Sequence, residues 1–141
     1  MIREFRESDL LEVMDIWLSG NSEAHSFIPL SFFEERFEET ASVICDAEVY
    51  VFDDGEVRGF IGLDKSYVAG LFVRGDSRGI GIGRHLISHA VSLKGSLSVH
   101  VFSKNEGAMR FYLKNGFLPV SSSENEDTGE SEVLLQNSIM E

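Results

Sequence analysis

The sequence predicts an α/β fold built as one domain over residues 1–141, and three observations lead there. The length of 141 residues suits a single hydrophobic core of ordinary size. Apolar residues make up 43% and charged residues 26%, the balance of a folded, water-soluble chain. Apolar residues at helical spacing alternate with short runs rich in Val, Ile, Phe and Tyr, and no internal repeat or linker interrupts them.

Taken in order, residues 1–6 read as a first strand. Ser8 stands where it can cap a helix whose Leu10, Val13, Met14, Trp17 and Leu18 share one face and which ends near Gly20. After a loop at 21–30, Ser31 and Glu34 make a capping-box pattern behind Pro29, for a second helix through Phe33, Phe37, Ala41 and Ile44. Residues 48–52 and 57–63 form a hairpin about the turn Asp53-Asp54-Gly55, and a third strand of this group follows at 67–73. A glycine-rich turn then leads into a helix with Ile82, Leu86, Ile87, Ala90 and Val91 on one face. Residues 97–102 are the next strand, and 105–113 a short helix closed by Asn115-Gly116, with Gly116 where a left-handed residue is usual. A strand at 117–120, a polar acidic loop at 121–131 expected to be mobile, and a last strand at 132–136 complete a set of about seven strands and four helices.

The formal net charge of −12 argues against nucleic acid or an anionic membrane as partner, since both need a basic footprint. The charge is unevenly spread: residues 1–65 carry 16 acids and 5 bases, residues 66–118 carry 2 acids and 7 bases, and residues 119–141 carry 6 acids and no base. A small polyanion suits the basic middle, and a cationic co-substrate suits the acidic flanks. No run approaches the roughly 20 apolar residues of a membrane helix, and the start is charged, which places the chain in the cytoplasm. Cys45 stands alone, so no intrachain disulfide forms; it reads as a buried filler, and no Cys/His cluster at ligand spacing calls for a metal.

Arg78-Gly79-Ile80-Gly81-Ile82-Gly83 carries the chemistry. Three alternate glycines let main chain approach an anion without Cβ clashes, and the following helix adds its unpaired N–H donors and positive dipole end. Arg78 and Arg84 bring full charges to either side, as a diphosphate requires. Two rival motifs fail. A nucleotide P-loop would end in Gly-Lys-Ser/Thr, where Arg84 and His85 follow Gly83, and a dinucleotide fingerprint would put glycine where Arg84 stands.

Arg78-x-x-Gly81-x-Gly83 behind an apolar strand, followed by Asn105, Ala108, Phe111-Tyr112 and Gly116-Phe117, resembles the GNAT superfamily of N-acetyltransferases over nearly the whole chain. Trp17, the Ala24-His25-x-Phe27-Ile28 segment and Leu71-Phe72-Val73 are similar to small bacterial members, some acting on protein amines. The resemblance implies a mixed, largely antiparallel sheet splayed in the middle to hold acetyl-CoA. It implies that the backbone of Leu71, Phe72 and Val73 pairs with the pantetheine arm, that Gly79, Ile80, Gly81, Ile82, Gly83 and Arg84 hold the pyrophosphate beside Arg78, and that Asn105 contacts the cofactor arm. Lys104 and Arg110 are the candidates for its 3′-phosphate.

The implied reaction is direct attack of a neutral amine on the thioester in a ternary complex, with Tyr112 protonating the departing thiolate. The acceptor is a primary amine, expected to be cationic: a protein lysine, a protein N-terminus or a small molecule. A lysine amine, with a reference pKa of about 10.4, must first lose a proton. Where several family members carry a glutamate before the glycine-rich turn, this chain has Tyr67, so the usual base is missing. His25, Asp64 and His100 are the candidates that replace it, and a water path to solvent is the alternative. The missing base leaves open a non-catalytic acyl-CoA-binding or sensing module. Exposed strand edges near the C-terminus make a homodimer an expectation.

Overall fold

The computed structural model describes residues 1–137. A seven-stranded sheet comprises β1 (Ile2–Glu4), β2 (Glu48–Asp53), β3 (Val57–Asp64), β4 (Tyr67–Val73), β5 (Ser98–Phe102), β6 (Phe117–Glu124) and β7 (Ser131–Asn137), in the spatial order β1-β2-β3-β4-β5-β7-β6. Only β4 and β5 pair in parallel; the other neighbours are antiparallel. Against the sheet lie α1 (Leu10–Ala24), α2 (Leu30–Glu35), α3 (Phe37–Asp46), α4 (Ile82–Lys94) and α5 (Glu106–Lys114).

Strand alternation sends side chains to two cores, one on each face. On one, Ile82, Leu86, Ile87 and Ala90 of α4 pack on Ile61, Leu63, Val68, Val99 and Leu135, with Tyr112 and Phe117 beside them. On the other, Val13, Met14 and Ile16 of α1 and Ile44 of α3 cover Val49, Val51 and Phe60. Burying each such side chain is worth about 1.5–3 kcal/mol, so these two layers hold the strands that form the cleft between them.

Several expectations are corrected. A 3₁₀ turn at Glu7–Asp9 precedes α1, and the backbone N–H of Arg6 goes to the Asp9 carboxylate at 2.8 Å; Ser8 does not cap. The helix α1 runs through Gly20 to Ala24, because a glycine inside a packed helix costs only about 1 kcal/mol and a side chain there would meet Phe72 at 2.7 Å. The second helix is two: the chain breaks at Arg36, whose guanidinium caps the Phe32 carbonyl at 2.8 Å and lies 3.6 Å over the Phe32 ring. Its start is Pro29, and Ser31 makes no cap bond. The acidic segment is largely paired: β6 continues to Glu124 on the partner strand β7, leaving a turn tied by Asn125, whose side chain accepts from the amides of Asp127 and Thr128. Cys45 is exposed rather than buried.

Candidate active site

The sheet opens where its one parallel pair ends. Tyr67 and Val68 pair with Ser98 and Val99, and there the β4–β5 ladder stops. Opposite, β3 keeps pairing with β4 through Gly59↔Val73, but the register slips between Gly62 and Leu63 so that Ala69 faces no partner. Such a bulge bends its strand and sharpens the local twist, and β4 leaves β5 from that residue onward. The edge of β4 facing β5 therefore has no ladder partner along Leu71, Phe72 and Val73. An acceptor or donor group left unpaired in a sheet is an invitation to an extended ligand.

Below this edge lies the glycine-rich turn. Gly79 and Gly81 sit at φ +83° and +91°, the left-handed region that glycine enters freely, and Gly81 is the N-cap of α4. The first helical hydrogen bond is made by the His85 N–H to the Gly81 carbonyl at 3.0 Å, so the amides of Ile82, Gly83 and Arg84 remain without a helical partner. Gly83 is required by proximity: a Cβ there would stand 3.1 Å from the Phe111 ring. Arg78 reaches back with Nε to the Val73 carbonyl at 3.2 Å and pairs through Nη1 with Glu23 at 2.8 Å.

Leu71, Phe72, Val73, Arg78, Gly79, Ile80, Gly81, Ile82, Gly83, Arg84, Asn105, His25 and Tyr112 all line one cleft of about 1330 Å³. That is more than the roughly 300–1,000 Å³ of an ordinary small-molecule pocket, room for a long ligand. His100 and Tyr67 line it too, whereas Asp64 does not. Of the two bases expected at a 3′-phosphate, neither lines the cleft; Lys104 pairs with Glu130 at 3.2 Å, and Lys114 is the lysine that does line it.

His25, at the C-terminal end of α1, is held by both ring nitrogens. The Asn21 amide donates to the Trp17 carbonyl at 2.9 Å, which turns its oxygen toward His25 Nδ1 at 2.8 Å. The oxygen of Asn105 accepts from the Ala108 amide at 3.1 Å, which turns its nitrogen toward Nε2 at 3.0 Å. The ring must then carry its proton on Nδ1, donate to Asn21 and accept from Asn105. Burial lowers its pKa, which favours the same neutral form. Phe27, Phe33 and Phe102 surround it, with ring centroids 5.7, 6.3 and 5.0 Å away.

Tyr112 is 5% exposed and packs between Phe111 and Phe117, each at 5.1 Å. Burial first, and the nearby Tyr67 second, push its pKa well above the usual phenol value. It stays protonated at neutral pH, a donor rather than a base.

The profile of the acetyltransferase (GNAT) family matches residues 10–117, from the start of α1 to the first residue of β6. The chain belongs to the GNAT acetyltransferase family. It is 32% identical over 136 residues to the peptidyl-lysine N-acetyltransferase YjaB of Escherichia coli (strain K12), covering 95% of this chain and 92% of that protein. The solution structure of apo YjaB from Escherichia coli superposes with a TM-score of 0.87 at 27% identity, over 99% of this chain and 98% of that one. A putative streptothricin acetyltransferase from Bacillus anthracis, solved with acetyl coenzyme A, shares the fold with a TM-score of 0.61 at 20% identity, over 67% and 63%. The chain is thus an N-acetyltransferase that takes its acetyl group from acetyl-CoA.

The open edge of β4 and the left-handed turn fit that donor: an extended polar arm needs the first, a diphosphate the second. Sequence reasoning missed residues that shape the acetyltransferase site. Asn21 lies on α1 four residues before His25, at helical spacing, beyond the Gly20 that the sequence marks as a helix stop. Phe111 against Gly83, and Phe102 against His25, join segments far apart in sequence, and no local signal pairs them. Among the described residues, no helix is long and apolar enough to cross a membrane, and no group of three or more His, Cys, Asp or Glu is set to hold a metal.

Proposed function

We propose that this acetyltransferase modifies lysine side chains of proteins, in the cytoplasm, with residues 1–141 working as one domain. The observation that carries the site assignment is the unpaired edge of β4, which lines one cleft together with the start of α4 and Tyr112. On this reading Leu71, Phe72 and Val73 receive the pantetheine arm through their main chain. The Gly79–Gly83 turn, Arg78 and Arg84 bind the pyrophosphate, and Asn105 borders the arm. Acetyl-CoA supplies an activated acyl carbonyl and a thiolate leaving group. Tyr112, kept protonated by burial, donates its proton to that thiolate as the amine displaces it.

His25 belongs to the same constellation. To act as a base it would have to exchange Asn105 for the acceptor at Nε2; held as it is, it clamps α1 to the start of α5 and shapes the acceptor mouth. The net charge of −12 favours a cationic acceptor, and peptidyl-lysine is what YjaB, 32% identical, is named for. The outer edge of β6, with Leu118 and Val120 exposed, is the strand on which a homodimer would pair.

Thiol release from acetyl-CoA with a lysine-containing peptide tests the reading. Tyr112→Phe should lower kcat by about 10²–10⁴, the usual contribution of a positioned acid, with acetyl-CoA affinity retained in calorimetry. A variant with the wild-type rate would remove Tyr112 from the chemistry.

A further inference from the structure

Tyr67 and His100 form a pair that the assignment above leaves unused. The Tyr67 hydroxyl lies 2.8 Å from His100 Nδ1, and both side chains line the cleft. Their places follow from register: Tyr67 is level with Ser98 in the parallel β4–β5 pair, and alternation puts Ser98 and His100 on its face of the sheet. The pair stands at the fork where the two strands part, so any group entering between them approaches it. Tyr67 is half-buried, while His100 is exposed. A chain of two titratable groups thus runs from inside the cleft to water.

We propose that Tyr67 and His100 carry away the proton that the acceptor ammonium must lose before it attacks. Tyr67 touches the acceptor and His100 is the positioning residue behind it; the inference rests on the acetyltransferase reading. The step requires the tautomer in which the Tyr67 O–H donates to His100 Nδ1 and the ring proton stands on Nε2. The acceptor N–H bond breaks as its proton passes to the Tyr67 oxygen, while the Tyr67 proton passes to Nδ1. The acceptor leaves the step as a neutral amine with its lone pair free, and His100 becomes an imidazolium that discharges from Nε2 to solvent. No net charge is created and no further reactant is needed; exchange with water at the exposed ring restores the first tautomer.

The charged and titratable groups around the relay are Glu132 of β7, Tyr112 of α5 and His100 itself. Burial first and Glu132 second raise the Tyr67 pKa, and hydrogen bonding with His100 offsets only part of that rise, so the phenol passes protons through rather than resting as phenolate. Tyr112, which feels Tyr67 from the other side, keeps the opposite task of protonating the thiolate. Two hydroxyls in one cleft are thereby separated by what lies behind them: an imidazole open to water for Tyr67, a packed core for Tyr112.

The test uses the intact protein, acetyl-CoA and the peptide N-acetyl-Gly-Lys-Gly-amide. Tyr67→Phe should lower kcat by about a hundredfold, the low end for a positioned base, while calorimetric affinity for acetyl-CoA stays within about twofold. The variant's kcat should then climb with pH toward the lysine pKa of about 10.4, as the solvent supplies the neutral amine, whereas wild-type kcat levels off earlier. His100→Ala should fall less and be restored by added imidazole, a rescue that a merely structural histidine would not show. Wild-type turnover with unchanged kcat and pH profile in Tyr67→Phe overturns the proposal alone. Failure of the wild type to acetylate this peptide or any other amine overturns the acetyltransferase reading and the relay with it.

Discussion

The side-chain nitrogen of Asn105 donates to Nε2 of His25 at 3.0 Å, joining two residues 80 positions apart across the mouth of the cleft. The same Asn105 accepts from the Ala108 amide and so caps α5. Replacing it with alanine removes both, at a cost of about 1–2 kcal/mol, read as a lower urea midpoint. Asn105→Asp should keep the cap but face Nε2 with a carboxylate. An imidazolium is then favoured, and the His25 pKa, followed by NMR, should rise.

His25 also makes stability depend on pH. Its folded pKa is lowered by burial from an ordinary 6.5, so the folded state prefers the neutral ring. The unfolded chain takes up the proton first as pH falls, so this contribution is complete above about pH 6.5 and is lost as pH drops through the lower folded value. Urea midpoints at pH 7.5 and 5.5 should differ more for the wild type than for His25→Gln.

The turn should respond to alanine according to backbone, not space. At Gly79 nothing lies within 4 Å of an added Cβ, yet φ is +83°. Gly79→Ala and Gly81→Ala should each cost about 1–2 kcal/mol of strain and weaken acetyl-CoA binding at least tenfold by calorimetry. Gly83→Ala, where φ is ordinary, acts by a different route: its Cβ meets the Phe111 ring at 3.1 Å and pushes the side chain beside Tyr112.

On the proposed assignment Glu23 competes with the ligand phosphate for Arg78. The pair is close, 2.8 Å, but about half-exposed on both sides, and such pairs are worth no more than about 1 kcal/mol. Glu23→Gln should therefore tighten acetyl-CoA binding by no more than about fivefold, most clearly at low salt. No tightening at all would mean that Arg78 does not meet the ligand.

Asp9 anchors the sheet edge. Two of its oxygens take Arg3 at 2.9 Å each, a third bond comes from the Arg6 amide, and Arg3 continues to Asp53 at 3.0 Å. Those bonds, Arg3 foremost, hold the Asp9 carboxyl below its usual range. Asp9→Asn should destabilise the protein by about 2 kcal/mol, visible as a thermal shift, while leaving the acetyl-CoA affinity unchanged.

By itself the sequence determined the parts whose cause is local. Apolar and β-branched runs mark β3 and β4, spacing marks the buried face of α4, and Gly116 announces positive φ because only glycine enters that region at no cost. The glycine-rich turn was legible for the same reason. What only the tertiary structure decided is which distant groups meet: Asn21 and Asn105 on the two nitrogens of His25, Tyr67 on His100, Glu23 on Arg78. Helix continuity past Gly20 and the break at Arg36 belong there too, since packing against Phe72 and Phe32 outweighs a propensity of about 1 kcal/mol. A contact between residues far apart in the chain leaves no mark on either segment alone, and the direction of each proton in this site is set by such contacts.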